Sequence, residues 1–184
     1  MLPIFSSLSL GSVAISLPQI PPFEGLHVLL VHFPVALLVA APVFVLLAMI
    51  LPVRLRWCSF AAVVLLAMGT AGAFAAVATG EAARDAVEDG PDEMFNVLKQ
   101  HEQLADLVRI VFLVVTVLYG LFVLLPVVVR KWITPSYLVP VQLVFFLVLL
   151  ASNLLVANLA HLGGRLVHQY GVHATLAEAP PSEQ

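Results

Sequence analysis

The sequence predicts an all-α, integral membrane four-helix bundle, and three observations predict it. Of 184 residues, 61% are hydrophobic and 10% charged, with a mean hydropathy of +1.06, whereas a soluble domain carries about 25% charged residues. Four apolar stretches, roughly His27–Leu51, Trp57–Gly80, Leu107–Val129 and Tyr137–His161, each reach the length of about 20 residues that crosses a bilayer. The first two hold no formal charge, and the last two hold only Arg109, near one end. Lipid offers backbone amides no partner, so each stretch must satisfy them internally as a helix. Residues 24–173 then form one transmembrane domain and leave no room for a separate soluble one.

Residues 1–23 are less apolar. IFSSLSLGSVAISL is serine-rich and too short to cross, it lacks the basic n-region of a signal peptide, and PQIPPF breaks any helix before Glu24. It reads as a membrane-surface segment, with an atypical signal as the alternative. The first span opens with His27 and His32 and contains Pro34 and Pro42. Five positions separate the histidines, about 140° around a helix and about 7.5 Å in depth, so the two cannot face one small cavity squarely. His32 is the deeper, and a ring facing lipid would leave its nitrogens unpaired, so it is expected to point into the bundle.

The second span carries a smooth stripe of Gly69, Gly72, Ala73, Ala76 and Gly80. Such a stripe serves close helix packing, or it forms a wall for a flat macrocycle, with Gly72 as a cofactor-side position. The third helix is expected to begin near Met94, ahead of the membrane, with His101 on its first turns and Asp106 and Arg109 spaced as an i,i+3 pair. Glu93 and Glu102 are candidate acceptors for a histidine N–H. The fourth span carries Asn153 and Asn158 and closes on His161. Asn158 is spaced to bond His161, and asparagines in spans also serve as glue between helices. Gly163 and Gly164 allow a helix end or bend; if the helix continues, His168 falls on nearly the same face as His161, about 10 Å away. His173 belongs to the tail, and residues 174–184 are polar, proline-containing and expected to be disordered.

Charge sets the orientation. Arg54 and Arg56 lie between spans one and two, and Arg130 and Lys131 between spans three and four, with no acid beside either pair. Glu81 to Asp106 holds eight of the eleven acidic residues against Arg84 and Lys99, and Arg165 also lies on that side. The positive-inside rule places the two basic loops in the cytoplasm, and Trp57, Trp132 and Tyr137 sit at that boundary as interfacial aromatics do. The acidic loop and both termini are then periplasmic in a bacterial inner membrane. All six histidines fall on that same side. The acidic stretch is read either as a solvated connector or as a dock for a basic periplasmic protein.

Several chemistries are poorly supported. The single cysteine, Cys58, permits no internal disulfide, no CxxC pair and no covalent c-type haem. His101-Glu102 lacks the second histidine of a zinc-peptidase helix, Ser152 has no nucleophile motif around it, and no basic patch supports nucleic acid binding. Clustered neutral imidazoles are natural metal ligands, and histidines at membrane depth default to a functional reading. The site residues singled out are His27, His32, His101, His161, His168 and Gly72, with His32, His101 and His161 as the metal ligands. Haem b, one or two, is the cofactor expected, since bundle interiors host such sites; His32 with His161, or His32 with His101, would form an axial pair. A copper or zinc binder and a cofactor-free structural or assembly subunit are the alternatives.

LHVLLVHFPVALL and HLGGRLVHQYGV resemble the end motifs of a bacterial family of small four-helix membrane proteins of unknown function. Its members show LHPxxVHFPxALL, a histidine opening the third helix, and LGGxLVxxxGV. His27, His32, Phe33, Pro34, His101, Gly163, Gly164, Leu166, Val167 and Gly171 match those positions. Val28 replaces a proline, and His168 stands where an aromatic is more usual. Relatives fused to Rieske-type or c-type cytochrome domains imply membrane electron transfer, as a subunit of an oxidoreductase complex. The partners this implies are membrane lipid, a quinone, and a periplasmic cytochrome c, Rieske-type protein or larger respiratory complex. In architecture the chain is also similar to four-helix membrane cytochromes b.

Overall fold

Each apolar stretch is helical in the computed structural model, which describes residues 8–10, 13–15, 21–51, 57–85, 87, 89–128 and 135–173. Leu8–Leu10 (β1) and Val13–Ile15 (β2) pair antiparallel, Leu8 opposite Ile15, within the segment expected to lie at the membrane surface. A single 3-10 turn, Phe23–Gly25, leads into α1 (Leu26–Leu30) and α2 (His32–Ile50). Then follow α3 (Trp57–Asp85), α4 (Asp92–Val128) and α5 (Pro135–Tyr170). Four helical units, Leu26–Ile50 among them, are long and apolar enough to cross a membrane. Arg54, Arg56, Arg130 and Lys131 and the tail from Ala174 lie outside the described residues.

Local chemistry explains where the helices break and end. Pro34 has no N–H for the Leu30 carbonyl, and α1 stops at Leu30 with Val31 as the joint. At the other end of the chain, Gly163 and Gly164 do not stop α5. It runs on to Tyr170 and ends at Gly171, whose φ of +69° suits glycine and whose N–H donates to the Val167 carbonyl at 3.1 Å. α4 starts at Asp92, before the membrane as its polar first turns predict, and its 37 residues span about 55 Å. The surplus packs outside the membrane against the end of α5, where Met94, Val97 and Leu166 are buried together with Leu98, Leu162 and Tyr170 around them.

The helices form a ring in which α2 neighbours α3 and α5, and α4 neighbours α3 and α5. α2 therefore lies diagonally across from α4. Leu38, Val45, Leu66, Phe112, Tyr119 and Leu149 fill the centre, while Phe33, Ile50, Leu154 and Val128 face outward, 66–76% exposed, as side chains bathed in lipid should. Several interior polar groups are paired between helices. Tyr119 donates to Gln142 Oε1 (3.1 Å), whose amide donates to Ser59 Oγ (3.0 Å). Thr70 and Thr116 share a hydrogen bond of 2.8 Å. Asn153 Nδ2 donates to the Leu38 carbonyl of α2 at 3.2 Å, the interhelical glue its position suggests.

The α3 stripe packs against α2. A Cβ on Gly69 would sit 2.7 Å from Leu38 Cδ2 and 2.8 Å from its Cγ, and one on Gly72 would sit 3.2 Å from Pro34 Cδ. Gly69→Val should therefore lower the stability of the detergent-solubilised protein by about 1–3 kcal/mol. Gly120→Ala, where a Cβ meets nothing within 4 Å, should be neutral or stabilising by up to about 1 kcal/mol. Thermal unfolding of the two variants checks the contrast, and equal melting temperatures would refute the tight α2–α3 contact.

Candidate functional site

Two of the six histidines turn into the bundle, and they are not the pair that depth alone suggests. Pro34 lies buried on the inward face of α2 against Gly72. A residue two positions earlier is about 200° away around a helix, so His32 faces outward and is exposed. The expectation that His32 points inward is thus corrected: the proline, not the imidazole, occupies the inward position. His161 and His168, on the outer side of α5, are exposed as well, as is His173 beyond the helix end. Neither His32 with His161 nor His32 with His101 forms a pair inside the bundle.

His27 and His101 do face each other's region. α1 packs on α3, and His27 Nδ1 lies 2.8 Å from the Ala76 carbonyl. A carbonyl only accepts, so Nδ1 carries the proton and donates; Nε2 keeps its lone pair. The Thr79 hydroxyl, 3.5 Å from the same Nδ1, points its own proton at the carbonyls of Ala75 (3.0 Å) and Ala76 (3.1 Å). The ring lies against Gly80, where a Cβ would stand 3.0 Å from His27 Cε1.

His101 approaches from α4, on the opposite diagonal. It lies within electrostatic reach of His27 and beside the backbone of Leu159. Its Nδ1 is buried, and no hydrogen bond of good geometry reaches it. The ring lies over Gly163, where a Cβ would stand 3.2 Å from Cε1. One layer of the bundle thus reads histidine, glycine, histidine, glycine around the ring of helices: His27 on α1, Gly80 on α3, His101 on α4 and Gly163 on α5. Nothing in the spacing of the sequence marks Gly80 and Gly163 as seats for imidazoles. Thr79 and the Ala76 carbonyl were equally invisible there.

The surroundings separate the other candidates. Glu102 does not take a histidine N–H; its Oε1 lies 2.7 Å from Arg84 Nε, tying α3 to α4 above the layer. That contact is a close approach of charges rather than an aligned hydrogen bond, since the same oxygen makes no bond of good geometry. Asp106 and Arg109 form the expected i,i+3 pair at 2.8 Å, and Arg109 also sits 5.7 Å from the centre of the Phe74 ring. Asn158 donates to the Leu154 carbonyl of its own helix at 2.8 Å instead of serving His161. Gly72 is covered by Pro34, Gly69 by Leu38 and Gly80 by His27, so the α3 stripe serves helix packing and has no face left for a macrocycle.

Among the described residues no cluster of three or more His, Cys, Asp or Glu side chains could hold a metal ion. Two imidazoles alone do not complete the four-ligand shell of a zinc site. They do complete the shell of a haem iron, to which the macrocycle supplies the other four nitrogens. His27 fits that role in its tautomer, because a ligating histidine donates its other ring N–H to a carboxylate or carbonyl. His101 offers a second imidazole beside the Leu159 backbone, with no acceptor of good geometry at Nδ1.

Four long apolar helices around a core and polar pairs that tie one helix to the next define a multi-pass membrane protein. The chain belongs to the family described as Predicted membrane protein (DUF2231), which matches it over residues 24–176. No curated protein and no solved structure matches it.

The tautomer is directly testable. In 15N spectra of the histidine-labelled, haem-free protein in detergent at alkaline pH, His27 should carry its proton on Nδ1. Gly80→Val should displace the ring and abolish that signature. A His27 protonated on Nε2 would remove the Ala76 hydrogen bond from the account.

Proposed function

We propose that the protein is a membrane-bound haem b electron-transfer subunit in which His27 and His101 are the axial pair. The observation that carries this reading is the anchoring of His27 Nδ1–H on the Ala76 carbonyl, which leaves the Nε2 lone pair of a ring within electrostatic reach of His101. The remaining four histidines face outward or lie past the last helix, so the reading is one haem and not two. His32, His161 and His168 leave the ligand set.

When bound, the group supplies one-electron chemistry. The chain holds it through two imidazoles, fixes one by a backbone acceptor, and surrounds it with the apolar side chains of a membrane interior, which tune its potential. The positive-inside rule places the histidine layer at the periplasmic side. Electrons would then pass between the quinone pool and a periplasmic partner such as a cytochrome c or Rieske-type protein, the kind of partner the family resemblance implies. The acidic connector with exposed Asp89, Asp92 and Glu93, ahead of His101 on the same side of the bundle, suits a basic docking surface by electrostatic steering.

The test is optical. Purified in detergent and reduced with dithionite, the protein should show a sharp α-band and a haem b pyridine haemochrome at one haem per chain. His27→Ala and His101→Ala should lose it, and His32→Ala and His161→Ala should keep it. A protein that stays colourless after haem supplementation overturns the reading and leaves a structural or assembly subunit in its place. A haem lost through His32→Ala but kept in His101→Ala would overturn the ligand assignment.

A further inference from the structure

The side of α5 that faces lipid changes chemistry at His161. Leu147, Leu150 and Leu154 are exposed along one side of the helix. His161, Arg165 and His168 continue that side at i+7, i+11 and i+14 from Leu154, and every one of these positions lies within about 40° of it around the helix. His161 and His168 are exposed, and Arg165 is partly so. The contact of α5 with His101 is made by Gly163, on a different side. The three residues therefore form a ridge on the outside of the bundle, one that electron transfer leaves unused.

Depth sets what lies against this ridge. From Val139 to Ala160, α5 holds no charged residue, about 33 Å of helix against a hydrocarbon core of about 30 Å. His161 is the next residue, with Arg165 about 6 Å and His168 about 10 Å further along the axis. Helical side chains lean toward the N-terminus of their helix, which for α5 is back toward the bilayer. Acyl chains cover Leu154, so the same side one to three turns later meets the headgroups of the same leaflet.

The charge of the ridge is of one sign. α5 contains no Asp or Glu. Arg84 and Arg109 are each matched by a carboxylate, Glu102 and Asp106, whereas Arg165 meets none among the described residues. Its Nε donates to Gln169 Oε1 at 3.0 Å. That bond steadies the guanidinium along the helix and leaves both terminal nitrogens without a protein partner among the described residues. A guanidinium presents a planar fork of donors that matches phosphate, and an imidazole offers at least one N–H donor in either charge state.

We infer that His161, Arg165 and His168 bind the phosphate of an anionic phospholipid in the leaflet on the histidine side of the membrane. Arg165 takes the phosphate, and the two imidazoles flank it as donors. A zwitterionic lipid brings its own cation to the headgroup, which opposes Arg165, so the ridge selects lipids of net negative charge. The inference goes beyond electron transfer and stands with or without a haem.

Native mass spectrometry of the full-length protein, released from nanodiscs of equal phosphatidylglycerol and phosphatidylcholine, tests this. The unmodified protein should retain phosphatidylglycerol over phosphatidylcholine by about fivefold, the contribution of one basic residue at an anionic lipid surface. Arg165→Gln should bring the two lipids to near parity. Lys99→Gln removes the same charge from α4 at a place about 12 Å ahead of Leu107, clear of the headgroups, and should leave the preference intact. Should Arg165→Gln fail to fold, the double variant His161→Ala, His168→Ala reads the same ridge and should lose part of the preference. Parity in the unmodified protein overturns the inference, as does a preference that survives the ridge variants or falls equally in Lys99→Gln. A dimer in the same spectra that Arg165→Gln dissolves, with lipid retention unchanged, overturns it too and makes the ridge a contact between two copies of the chain.

Discussion

Pro34 seated in the notch at Gly72 is the contact from which the functional end of the bundle is built. A proline at that place withholds an N–H from the Leu30 carbonyl, so one helical hydrogen bond is missing just before it. The notch fixes which face of α2 is inward, and thereby sends His32 outward by geometry alone. One turn earlier, α1 packs on α3, where the Ala76 carbonyl receives His27. Which histidine of this helix end enters the bundle therefore descends from one packed ring.

The fold was legible in the sequence because the membrane simplifies the problem. Charge-free runs the length of a bilayer have one solution for their backbone polar groups, and the four spans, the early start of α4 and the Asp106–Arg109 pair all follow from it. The inward faces were less legible. An imidazole in lipid lacks partners, which favours an inward His32, yet its neighbour Pro34 decides the direction, and depth in the sequence says nothing about rotation around the helix. The stripe on α3 illustrates the same limit. Gly69, Gly72 and Gly80 are compatible with a cofactor wall or with a close helix, and only the positions of Leu38, Pro34 and His27 choose between them. His101 was identified as a candidate but not its seat, because the pairing of residue 101 with residue 163 depends on how α4 and α5 slide past one another.

Polar pairing divides the bundle into two halves of different character. Toward the end where α3 and α5 begin, Tyr119, Gln142 and Ser59 close a hydrogen-bonded chain across three helices, and Thr70 with Thr116 joins α3 to α4. These groups satisfy one another, and buried polar networks that are fully paired fix register between helices. Toward the histidine end the pairing is incomplete. His27 offers a lone pair on Nε2, and His101 keeps a nitrogen without a partner.

That asymmetry sets the two ends apart on energetic grounds. An unpaired polar atom in a low-dielectric interior costs roughly 1–3 kcal/mol. The hydrogen-bonded half of the molecule gives the other half a rigid frame. Within that frame the two imidazoles can be held apart on glycine seats without the helices losing their register.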